Sequence, residues 1–227
     1  MDQASPTRIS IQVSLSGFSF SSSGEGPVSK SGWLGAEKIF TTKEFQRRYD
    51  EVEIALMTPK VALVPNSFFD ASEARRLLSE TVSLSEGDVV EHVDVPEYDA
   101  RLLYSPTIGE VLSSTLSRNV LTTSGDSVKV LPEMYYVLKA LSGLKDYNRI
   151  VASYADGHLY LAIGQGRNLL LANVFEASDF TTAEYFIFLC LKKLQLNPEV
   201  SGICFRTPLA AEEEMSLYRY FKAVESL

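Results

Sequence analysis

Two dipeptides in this chain have the residue types and the setting to do chemistry. Ser16-Gly17 lies in "SLSGFSFSSSGEG" and Asp156-Gly157 in "ASYADGHL", each between two short alternating runs. A glycine turn between strands can present backbone N–H groups that hold phosphate oxygens. The same residues also make ordinary hairpins, because Asp-Gly readily supplies the positive φ angles of a type I′ turn. Ser16, Gly17, Asp156 and Gly157 are therefore the candidate nucleotide-binding residues, with a plain turn as the competing explanation of each. No catalytic residue and no metal ligand is nominated.

Other chemistry finds little support. His92 and His158 are the only histidines, too few and too scattered for a zinc site or a triad. Cys190 and Cys204 sit in apolar runs, "FIFLCLKKL" and "SGICFRT", where buried, inert thiols and a reducing compartment are expected. "GQGRN" precedes a strand and not a helix, so it is no dinucleotide fingerprint. A formal net charge of −8 opposes nucleic acid, and the basic pairs Arg47-Arg48, Arg75-Arg76 and Lys192-Lys193 read as solvated faces. "MDQASPTR" has no signal-peptide character, and "YFIFLCL" is far shorter than the ~20 residues of a membrane helix. A cytoplasmic protein without direct membrane insertion is expected. With 227 residues, 45% of them hydrophobic, the chain can build a packed core.

The elements that must position these turns follow from periodicity. "RISIQVSL" (8–15) alternates Ile9, Ile11, Val13 and Leu15 with polar partners, "FSFS" alternates again, and "VSKSGWL" can form a third strand. Turns fall at Ser16-Gly17 and at Gly24–Pro27. A helix is predicted over 42–57, a buried strand over 60–64 and a helix over 67–82. Strands at 88–95 and 100–105, a helix from Pro106 to Asn119, a strand near 126–131 and a helix over 132–142 come next. "YNRIVASYA", "HLYLAI" and "NLLLANVF" are three strands joined by tight turns. A helix (182–195), a strand (200–206) and a final helix (211–225) complete the chain.

Sliding the sequence by 140 residues lays Gly17, Gly24 and Gly26 on Gly157, Gly164 and Gly166, and "FTTKEF" (40–45) on "FTTAEY" (180–185). A duplicated strand–strand–strand–helix–strand–helix unit is expected. Both Thr41…Glu44 and Thr181…Glu184 have capping-box spacing, with Phe40/Phe45 and Phe180/Tyr185 as hydrophobic staples. Helix capping explains these matches without giving Glu44 or Glu184 a catalytic role.

Two such units in tandem resemble the ribonuclease H-like, actin-like ATPase architecture. The expected fold class is α/β: two units, each a mixed sheet of three antiparallel strands followed by parallel βα units. The expected division is 1–145 and 146–227, with 88–145 available to complete the second part. In that superfamily an aspartate near the end of the first strand positions magnesium and water, and the hairpin holds phosphate. This chain has Ser14 and Ser16 there in the first half, and Asp156 one step away in the second. Gly202 stands alone where paired glycines lie near the adenosine. A ribonuclease H-like nuclease would need three or four converging carboxylates, which the first strands lack.

"VALVPNSFFD" (61–70) and "LLLANVFEASDFTTAEYFIFLCLKKLQLNPE" (169–199) resemble, more specifically, an uncharacterised bacterial family of Bacteroidetes type. Its fold is similar to actin-like ATPases and to the actin-like subunits of type II secretion and type IV pilus assembly. These motifs mark membership and say nothing of chemistry; hairpins without a well-placed acid, an acidic composition and the lack of a metal or nucleophile constellation point to a non-catalytic, scaffold-like role with a protein partner and no cofactor. ATP with magnesium in an interdomain cleft is the alternative.

Overall fold

The computed structural model describes residues 6–24, 28–107 and 110–227. The turn expected at Gly24–Pro27 lies mostly outside them. The chain opens with β1 (Arg8–Val13), β2 (Gly17–Ser23), β3 (Ser29–Lys30), β4 (Leu34–Gly35) and β5 (Glu51–Leu56). Next come β6 (Val61–Pro65), α1 (Ala74–Ser79), β7 (Glu91–Val95), β8 (Ala100–Tyr104), α2 (Glu110–Asn119), β9 (Val130–Pro132) and α3 (Glu133–Gly143). The remainder is β10 (Asn148–Ala155), β11 (His158–Gln165), β12 (Asn168–Glu176), α4 (Phe180–Lys193), β13 (Gly202–Phe205), α5 (Ala211–Tyr218) and β14 (Ala223–Ser226).

These strands form two mixed sheets of the same design. The first has the order β3-β2-β1-β5-β9, with β4 also on β2; the second runs β12-β11-β10-β13-β14. In each, the first two neighbouring pairs are antiparallel and the last two parallel. In the first sheet, alternation along β1 and β2 puts Ile9, Ile11, Val13, Phe18 and Phe20 on an outer face, under Phe45, Tyr49, Leu116 of α2 and Val120 just after it. The corresponding outer face of the second sheet, with Ile150, Leu159, Leu161 and Ile163, is covered by α4 and α5 through Ile187, Leu191 and Leu217.

The strands do not correspond by the offset that the glycines indicate. Ser14 N–H donates to Gly17 O at 2.9 Å, so Leu15 and Ser16 form the tip of the first hairpin. Ala155 pairs with His158, so Asp156 and Gly157 form the tip of the second. Tip thus matches tip at 141 residues, and Ser16 corresponds to Gly157. A one-residue slip matters in a strand because it turns every side chain to the other face. At 141, Ile9 falls on Ile150 and Phe18 on Leu159, outer face on outer face.

The connection to the fourth strand is also shorter in the first unit. The helix expected over 42–57 is a 3-10 turn at Lys43–Gln46, and residues 51–56 are the parallel strand β5. Where the second unit has a 14-residue helix, α4, the first has that four-residue turn. Neither predicted capping box forms. Thr41 Oγ1 donates back to Lys38 O at 3.2 Å, and α4 is capped by Asp179, which accepts from Thr182 N–H at 2.7 Å. Phe40 and Tyr185 stay exposed, so the staples are absent too. Asp179 outcompetes Thr181 because its carboxylate is the stronger acceptor at the positive end of a helix.

Three further expectations change. Strand β6 belongs to a separate antiparallel sheet, β6-β8-β7, and not to the parallel part of the first sheet. Residues 67–82 contain short 3-10 turns and the six-residue α1 in place of one long helix. The final helix stops at Tyr218, and the chain ends in β14, parallel to β13. Helix α3 lies between the two main sheets. Its Met134, Val137, Leu138 and Leu141 pack onto Val151, Tyr160 and Ala162 of the second sheet, together with Val95 and Leu102 of the small sheet.

Candidate functional site

The four residues singled out in the sequence come together. The two hairpin tips meet, and Asp156 accepts hydrogen bonds from Ser16 N–H at 3.2 Å and from the Ser16 hydroxyl. Around this contact, Trp33 Nε1 donates to Ser16 Oγ at 2.9 Å, and Ser14 Oγ lies 3.3 Å from it. Asp156 has φ 48° and Gly157 φ 70°, as a type I′ turn requires. His158 Nδ1 lies 2.7 Å from Asp156 O. Gly157 O accepts from Ala177 N–H at 2.7 Å.

Gly17 has a different task. A Cβ there would lie 1.9 Å from Leu34 O, so only glycine lets β4 pair this closely. That pairing in turn brings Trp33 next to Ser16. The Ser16 N–H therefore already has an anionic partner, supplied by the protein itself.

Behind the tips, the inner face of the first sheet is polar. Arg8, Ser10 and Gln12 of β1 pair with Ser23, Ser21 and Ser19 of β2. Gln12 Nε2 donates to Arg206 O at 3.0 Å and its Oε1 accepts from Ser19 at 3.0 Å. Arg206 follows β13, and its Nε meets Glu133 Oε1 at 2.9 Å. Glu133 is fully buried at the start of α3 and also accepts from Ser153 Oγ at 2.6 Å. The Arg206 guanidinium stacks over Tyr136, 5.3 Å from the ring centroid. Burial raises the Tyr136 phenol, with the nearby Glu53 adding to the effect.

Glu53 on β5 takes Arg8 at 2.7 Å and Lys139 of α3 at 3.2 Å. Burial opposes its ionisation, but the Arg8 hydrogen bond and the charges of Arg8, Arg206 and Lys139 outweigh burial and hold the carboxyl below its usual range. None of Arg206, Glu133 or Glu53 was singled out from the sequence. The available signal was the polar half of "RISIQV", which places Arg8, Ser10 and Gln12 together on the face opposite the core. Among the described residues, no three His, Cys, Asp or Glu side chains are grouped to hold a metal ion. No helix among them is long and apolar enough to cross a membrane.

Two mixed sheets of one strand order, their first hairpins tip to tip, define an actin-like ATPase fold. A protein from Bacteroides thetaiotaomicron with this fold and unknown function superposes with a TM-score of 0.65 at 17% identity, covering 97% of this chain and 90% of that one. A structure of the PilM–PilN type IV pilus biogenesis complex matches at 0.53 and 13% identity, covering 97% and 88%. The cytoplasmic domain of EpsL, an inner-membrane component of the Vibrio cholerae type II secretion system, matches more loosely, at 0.47 and 10% identity over 90% and 83%. No curated protein matches the chain by sequence. The chain belongs to the family described as "Protein of unknown function (DUF3822)", whose model matches residues 35–224.

Proposed function

We propose that this chain is a non-catalytic actin-like protein that serves as a protein-interaction module or assembly scaffold. The observation that carries this is an apolar patch beside the first hairpin tip. Leu15, Phe40 and Val111 are 66%, 70% and 83% exposed, and they border one pocket of about 300 Å³ with Ile39 and Leu112. Grouped large apolar side chains in water mark interaction surfaces, whereas single ones do not. The tip contact supports the non-catalytic half, since Asp156 occupies the donors that a phosphate would need. The likeness to a structure of a pilus-assembly complex supports partner binding. The repeated strand order supports two duplicated subdomains, 1–145 and 146–227, with α3 between them.

The test uses the full chain as bait in native lysate, against a Phe40→Glu/Val111→Glu double variant that keeps the wild-type circular dichroism and Tm. A near-stoichiometric partner, lost with the double variant, is the expected result. Repeated recovery of the protein alone would overturn it.

One observation favours ATP binding as a second reading: the two hairpin tips do face each other, and breaking the Ser16–Asp156 contact would free a backbone N–H for phosphate. Millimolar Mg-ATP should then raise Tm, by the equivalent of about 2.7 kcal/mol at a hundredfold excess over Kd. No rise would dismiss it; a rise that grows in Asp156→Ala, which frees the Ser16 N–H for phosphate, would establish it.

A further inference from the structure

We propose that the cleft between the polar face of the first sheet and α3 binds a small hydroxylated oxyanion, a molecule with a phosphate or carboxylate group beside free hydroxyls. The cleft encloses about 620 Å³, within the ~300–1,000 Å³ of small-molecule sites. Neither Ser16 nor Asp156 lines it, so it is separate from the tip contact.

Its wall has hydrogen-bonding capacity that the protein leaves unused. Seven buried side-chain nitrogen or oxygen atoms among the described residues have no partner, and three of them, Ser10 Oγ, Glu53 Oε2 and Arg206 Nη2, belong to residues lining this one cleft. An unsatisfied buried polar atom is costly and calls for a specific explanation. The Arg206 side chain is only 10% exposed, held by Glu133 through Nε while Nη2 is left over.

The charges point to an anion. Among the described residues, four cationic side chains, Arg8, Lys30, Lys139 and Arg206, line the cleft against one carboxylate side chain, Glu53, in a chain of net charge −8. Arg8 and Lys139 share a single Glu53 oxygen, although Arg8 also comes within 3.8 Å of Glu51. Lys30 has no carboxylate partner among the described residues; its Nζ meets Ser226 Oγ at 2.9 Å and the Ser226 carbonyl at 3.3 Å. Donors from Arg206, Lys30 and Ser10 suit oxyanion oxygens. The free Glu53 Oε2 needs a donor instead, which a hydroxyl on the same ligand supplies. Ser21 and Ser23 extend the hydroxyl-rich wall.

Thermal unfolding of the full chain tests this with ribose 5-phosphate, citrate and inorganic phosphate, each against sodium chloride of equal ionic strength, and with neutral ribose. The expected result is a saturable rise with ribose 5-phosphate or citrate, on the order of 5 °C at a hundredfold excess over Kd. Ser10→Ala removes an unpartnered hydroxyl, so Tm without ligand should hold while affinity falls about fivefold. Lys30→Gln should weaken binding similarly, and Asp156→Ala should leave it intact. No rise above the salt control with any probe, an equal rise with neutral ribose, or a rise that both Ser10→Ala and Lys30→Gln leave unchanged would overturn the proposal. The scaffold role stands or falls separately, on the Phe40/Val111 surface.

Discussion

The two main sheets share a strand order but differ in the face they turn toward α3. In the second sheet that face is mostly apolar and closed against the helix: Val151, Ala155, Tyr160, Ala162 and Cys204 pack under it, and the two polar residues among them, Arg149 and Ser153, are bonded to Leu141 O and Glu133 of α3. In the first it is Arg8, Ser10, Gln12, Ser19, Ser21 and Glu53, and a cleft remains between it and the helix. A helix between two sheets can be core for only one of them if the other presents hydrogen-bonding groups. The difference teaches where function has room: the second sheet is committed to stability, whereas the first is left free to bind.

The sharpest way to break this contrast is to exchange the chemistry of the two faces. Ala162→Asp would bury an unpaired carboxylate beneath α3 and should cost more than about 4 kcal/mol, or prevent folding. Ser21→Val on the other inner face should stay within about 1 kcal/mol; urea denaturation measures both. Next in size is Arg206→Ala. It strands the fully buried Glu133 and should cost about 3–5 kcal/mol in the same assay, while Arg206→Met with Glu133→Gln should recover much of the loss.

A smaller effect concerns pH. The folded Glu53 carboxyl lies below its ordinary value of 4.5, so its contribution to stability is present above that pH and is lost as pH falls through the folded value. Glu53→Gln should therefore flatten the fall in stability on acidification below about pH 5. Residual slope should remain, because Asp50 and Asp88 are also held low, by hydrogen bonds from Thr7 and from Lys60 respectively. Smallest is a labelling difference. Burial pushes the Cys204 thiol up to about 11 and raises Cys190 as well, so iodoacetamide at pH 8 should modify neither in the folded protein and both in urea.

The contrast between the sheets was partly legible in the sequence. "RISIQV" alternates, the mark of a strand buried on one side, while "RIVASYA" and "HLYLAI" are nearly continuous, the mark of burial on both. The turns at the two hairpin tips were legible as well, because Ser-Gly and Asp-Gly signal turns locally, but no local pattern said that the tips meet. The 140-residue match misled by one position, since glycines align by identity and Gly17 is needed for the close approach of Leu34, not for the tip itself. The helix expected over 42–57 failed because Val52, Ile54 and Leu56 also fit a strand ladder, and the parallel partner β1 decided the outcome. The Glu133–Arg206 pair was invisible, joining residues 73 positions apart that no local pattern links.

Helix α3 precedes the second sheet in the chain yet belongs to that sheet's core, and this bears on any attempt to divide the protein. A fragment starting at residue 146 would expose the apolar inner face of the second sheet and should aggregate, whereas one starting near residue 130 would bring its own cover and stay in solution.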